Sequence, residues 1–112
     1  MQRVKWDLEE LVALEWICLR RKEMNNDEIQ DTLKHLSAAL NRRADALGII
    51  HDEKYRNYNG MIFYYKKMVY VVTDGMEGLH HTNSMLYDVH DFWKNNYEQY
   101  SIILSEFIDK YW

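Results

Sequence analysis

Proline is absent from the sequence and glycine occurs only four times, so the chain lacks the turn punctuation that a many-stranded sandwich or barrel needs. That absence favours helices. A single cysteine, Cys18, excludes an internal disulfide and any zinc site built from several cysteines, and it fits a reducing compartment. The longest uncharged apolar run, residues 68–73, is far too short to span a bilayer, and the first seven residues carry no signal-peptide core. The expectation is a soluble, cytoplasmic protein with no membrane partner. What is present is enough apolar material, 47% of 112 residues, to build one core in one domain spanning residues 1–112.

The charge balance is acidic, with 18 Asp plus Glu against 14 Lys plus Arg, which taken as an average argues against a strong grip on nucleic acid. The average hides a pattern. Residues 1–33 carry −3, residues 34–67 carry +4 and residues 68–112 carry −5. A basic middle between acidic ends is either a DNA-facing element on a soluble body or a segment neutralised by its own flanks on folding.

Asp7 and Glu10 have the spacing of a capping box and open a first helix in which Leu8, Leu11, Val12, Leu14, Trp16, Ile17 and Leu19 spread over more than one face. Its end carries Arg20, Arg21 and Lys22, which suit the negative end of a helix dipole. After Asn25 and Asn26, the positions Ile29, Leu33, Leu36, Leu40, Ala44 and Leu47 recur at helical steps, with acids in the first turn and Gly48 behind the last. Ser37 leaves room for a break. Arg42 and Arg43 fall off the apolar stripe and are expected to face water. Residues 51–60 are polar and turn-prone. Residues 61–72 fit a helical stripe through Met61, Tyr65, Met68 and Val72, while their aromatic and β-branched content equally suits a short strand pair near 61–73. A loop with Gly75 and Gly78 follows. Ser84 is placed to cap a fourth helix and Asn96 a fifth. The expected fold is all-α, a compact domain of about five helices with a helix-turn-helix-like centre.

A Trp followed by Glu-Glu-Leu in the first helix, the stretch Leu36, Ser37, Ala38, Ala39, Leu40, Asn41, and above all Tyr55, Arg56, Asn57, Tyr58, Asn59, Gly60, Met61 are followed by Gly78-Leu79 and Phe92-Trp93. In this order they resemble the helical N-terminal domain that precedes the nuclease in HNH-type restriction endonucleases and related bacterial proteins. The resemblance spans Trp6 to about Phe107, and its most specific part is residues 55–61. Members of that family continue with a Met-Lys-Leu stretch and Asn-Phe, where this chain has Phe63, Tyr64, Tyr65, Lys67 and Met68. The 112 residues hold no HNH motif, so the resemblance implies the recognition half without the cutting half.

Catalytic signals are weak. The histidines are His35, His51, His80, His81 and His90, and the adjacent pair His80-His81 has no carboxylate at a spacing that completes a metal set. Asp88, His90 and Asp91 read as a solvated polar face. No phosphate loop, nucleophile elbow or Cys-His pairing is visible. The expectation is a non-enzyme with no cofactor.

Two binding readings remain. In the first, the module binds duplex DNA: Arg56 pairs with phosphate or guanine, Asn57 or Asn59 with adenine, Lys66 and Lys67 lie on or near the exposed side of a recognition helix formed by residues 61–72, and Arg42 and Arg43 add contacts. The bland counterpart has the asparagines capping, Arg56 bridging Asp52 or Glu53, and the tyrosines in the core. In the second, the nine Tyr, four Trp and six Met include interface anchors. The protein is then a phage or mobile-element inhibitor, of anti-restriction or anti-CRISPR type, that contacts a nucleic-acid-handling protein through Asp88, Asp91, Glu98 and Tyr100. A homodimer with a structural role is the third reading.

Overall fold

The computed structural model describes residues 4–80 and 83–112, and among them it is all-helical with no strand. Helix α1 spans Leu8–Leu19, α2 Asn26–Ala46, α3 Tyr58–Val72, α4 Ser84–Asn95 and α5 Tyr97–Tyr111, with a short 3₁₀ turn at Arg21–Glu23. None of these helices is long and apolar enough to cross a membrane.

Local chemistry explains the starts. Asp7 accepts from the Glu10 amide and Glu10 accepts from the Asp7 amide, 3.1 Å each, so α1 opens in a full capping box. Asn25 and Glu28 repeat the device at α2. Asn57 caps α3 by accepting from Gly60 N at 2.9 Å. With that cap in place and Met61 and Met68 buried at helical spacing, residues 58–72 are helix rather than strand. At α4 the cap is Asn83, not Ser84: the Met85 amide donates to Asn83 Oδ1 at 3.0 Å and Ser84 is the first helical residue. Asn96 stands before α5, but its side chain makes no capping bond.

The ends are equally local. Gly48, at φ +71, closes α2 in a Schellman motif, with the Ile49 amide donating to Ala44 O at 2.8 Å. Arg21 Nη1 donates to Cys18 O at 3.0 Å, so one cation of the basic cluster satisfies a carbonyl in the last turn of α1. Ser37 does not break α2. Its hydroxyl donates to Arg56 O at 2.5 Å and ties the helix to the 47–57 connection.

Helix α1 is the axis of the fold and packs against the other four helices. Leu11, Val12, Ala13, Leu14, Ile17 and Cys18 are all buried, which requires cover on several sides. From α2 come Leu33, Leu36, Ala39 and Leu40, from α3 Met61, Met68 and Val71, and from α4 and α5 Leu86, Val89 and Phe107. Each large side chain so buried stabilises by about 1.5–3 kcal/mol. The segment after α3 lies close on that helix: the Leu79 amide donates to Lys66 O at 3.0 Å, and a Cβ at Gly78 would stand 2.4 Å from the same oxygen.

Candidate functional site

The predicted DNA-contact residues separate into two sets once the helices are packed. Arg56 leaves the surface. Its backbone is left-handed (φ 47), and its guanidinium turns into the N-terminal end of α1. There Nε and Nη2 donate to Glu10 at 2.7 and 2.9 Å, while Nη1 and Nη2 donate to the carbonyls of Val4 and Lys5 at 3.1 and 3.0 Å. The rings of Trp6 and Tyr55 stand 4.6 and 4.4 Å from its central carbon. Arg56 is 9% exposed and Glu10 1%, so the partner is Glu10 of α1 rather than the sequence neighbours Asp52 or Glu53. The Tyr55 hydroxyl also reaches Glu10, at 3.4 Å, and burial together with that carboxylate pushes it up to about 12.

Arg43 does not face water either. It is buried, bridging Asp7 at 2.9 Å and Glu9. Lys67, expected near the outer side of α3, is buried with its ammonium 4.1 and 4.3 Å from the rings of Phe63 and Tyr64. Arg42 is exposed, as its position off the stripe implies, yet its guanidinium donates to Tyr111 O at 3.1 and 2.7 Å and pins the end of α5 to α2. Asn57 is exposed and caps. Asn59 and Lys66 are exposed on the outer face of α3 beside Phe63, and α3 contains no carboxylate. Thus Asp7, Glu9 and Glu10 of the acidic first segment neutralise two cations of the basic middle.

The residues of the protein-contact reading divide differently. Asp88, Asp91 and Glu98 are exposed, with Lys94 3.7 Å from Asp91. Tyr100 is 2% exposed and belongs to the core. Its hydroxyl donates to Glu15 at 2.8 Å, and His90 Nδ1 lies 2.8 Å from the other carboxylate oxygen. Burial raises Glu15 against the lowering effect of Tyr100 and His90, and burial with the nearby Glu15 carboxylate pushes the Tyr100 hydroxyl up. This trio joins α1, α4 and α5, and the carboxylate orients the imidazole. Glu15 and the second role of Glu10 escaped the sequence reading, and His90, expected on a solvated face with Asp88 and Asp91, is buried instead because it turns onto Glu15. A signal existed: two glutamates inside an α1 run that is apolar on several faces must be buried and therefore need partners.

On the outer side of α5, Glu98, Ile102, Glu106 and Asp109 share one face at helical spacing and all are exposed. Tyr97 at its start is 63% exposed and Ile102 53%. Tyr87, Asp88 and Asp91 are exposed on α4. Among the described residues no group of three or more His, Cys, Asp or Glu is placed to hold a metal. His81, half of the adjacent histidine pair, lies outside the described residues. No protein-family model, curated protein or solved structure matches the chain.

Proposed function

We propose that the protein is a non-catalytic binding module of bacterial or phage DNA metabolism or defence, which docks on a basic surface of a nucleic-acid-handling protein through the outer faces of α4 and α5. The observation that carries this reading is the make-up of the exposed α5 face. Three carboxylates, Glu98, Glu106 and Asp109, flank an outward Ile102 with Tyr97 at the end. Acidic groups around exposed apolar anchors give electrostatic complementarity to a cationic partner and an apolar contact to hold it. The context in DNA handling rests on the resemblance of residues 55–61.

Binding to duplex DNA is the second reading, favoured by the carboxylate-free α3 with Asn59, Phe63 and Lys66 outward. It has lost Arg56, Arg43 and Lys67 to the interior. One pair of measurements separates the two. The chain and its Glu98→Lys/Glu106→Lys variant are used as baits in nuclease-treated bacterial lysate, and fluorescence anisotropy follows labelled duplex DNA at about 50 and about 200 mM salt. Salt-sensitive capture of a DNA-handling protein by the native chain alone, with no DNA binding, is the expected result. Equal capture by both baits, or DNA binding that falls steeply with salt, overturns the docking reading.

A further inference from the structure

A hollow of about 390 Å³ opens beside the first turn of α3. That is within the range of small-molecule sites, roughly 300–1,000 Å³. Arg56 is among its lining residues, and that side chain is held by four hydrogen bonds and two rings, so this part of the wall is set before any ligand arrives. The aromatic lining offers no free stacking face. Trp6 is stacked on Tyr64 at 4.5 Å and covered by Arg56, and Tyr55 is held between Arg56 and His51. A ligand therefore meets the half-buried Val4 and ring edges on one side, with Met61 fully buried behind them.

The polar side is where the unused capacity lies, and it is mostly donor. Lys54 lines the hollow and its ammonium has no ion-pair partner among the described residues. The Asn57 Oδ1 is occupied by the Gly60 amide, which leaves Nδ2 as the group on offer. The Tyr64 hydroxyl makes no hydrogen bond to the described residues. The one carboxylate in the lining, Asp52, accepts from the Lys54 amide at 2.9 Å and neighbours His51.

We infer that this hollow binds a small organic anion, its acidic group against Lys54 and Asn57 and its apolar part against Val4 and the edge of Trp6. The inference is independent of the docking reading, because the hollow and the α5 face share no residue.

The test titrates phenyl phosphate, inorganic phosphate and phenol into the isotopically labelled full chain and follows its amide resonances. Phenyl phosphate is expected to give saturable shifts at Lys54, Asn57, Gly60 and Met61, with inorganic phosphate weaker and phenol weaker still. Lys54→Glu changes an exposed side chain outside the core. Asn57→Asp keeps the helix cap, since Asp caps as well as Asn, but replaces the donor with a carboxylate. Each is expected to weaken phenyl phosphate by about tenfold, the loss of one charge-assisted or oriented contact, with an unchanged melting temperature. Phenol binding as tightly as phenyl phosphate, inorganic phosphate matching it, shifts centred elsewhere, unchanged affinity in both variants, or no shifts at all overturns the proposal.

Discussion

Replacing Arg56 by Met keeps most of the side-chain length and its apolar contact with Trp6 and Tyr55, and removes the charge and every donor. Glu10 then stays behind in a site that is 1% exposed with only the Asp7 amide and the distant Tyr55 hydroxyl to serve it. Leaving one member of a buried pair uncompensated costs about 3–5 kcal/mol. The freed carbonyls belong to the half-buried Val4 and the exposed Lys5, where water can reach them, and add little. The left-handed backbone at residue 56 is unaffected, because neither residue is glycine. Against a total stability of roughly 5–15 kcal/mol, such a loss lowers the melting temperature by roughly 10–20 °C at this chain length. Urea unfolding followed by far-UV circular dichroism measures it, in a cycle with Glu10→Gln and the double variant. Gln at position 10 can still complete the capping box, so the double variant is expected to recover more than half of the loss. A cost below ~1 kcal/mol for Arg56→Met, or a double variant no more stable than the single one, would refute the account of Arg56 as a buried ion-pair residue.

Glu15 supplies a pH test. Its folded pKa is raised by burial, so the native state holds that proton more tightly than the unfolded chain. Its contribution to stability is greatest below the unfolded value and is lost as pH rises through the folded one. The stability difference between the native chain and Glu15→Gln should therefore shift against the native chain as pH climbs above about 4.5, and a difference independent of pH refutes it. Gly78→Ala places a methyl 2.4 Å from Lys66 O at φ +86, and calorimetry should show a loss of more than ~1 kcal/mol from clash and backbone strain; a neutral effect means that the 73–80 segment is free to move off α3. Asn25→Ala removes the acceptor of the Glu28 amide and should cost about 1 kcal/mol in urea unfolding, whereas no change would show that α2 is held by packing alone.

Helix starts and stops were legible because their causes lie within a few residues. Asp7 with Glu10, Asn25 with Glu28, and Gly48 after α2 act over three or four positions, and a single sequence displays that spacing. Ser84 and Asn96 were the misses of this kind: at α4 the better acceptor stood one residue earlier at Asn83, and the Asn96 side chain makes no capping bond at α5. The ambiguity over residues 61–72 was a competition between period and propensity. The Asn57 cap and the buried Met61 and Met68 decided it for helix.

The sequence by itself determined helices outside the ambiguous residues 61–73, the capping box of α1, the stop of α2 at Gly48 and a basic segment between acidic ones. Only the tertiary structure decided which charges remain at the surface. Arg56 and Glu10 are 46 residues apart, Arg43 and Glu9 are 34 apart, and Tyr100 and Glu15 are 85 apart. No periodicity connects positions at such distances. Pairing arises when α1 is enclosed by the other four helices, because a carboxylate carried into that interior is stable only beside the cation or hydroxyl that the surrounding elements bring to it.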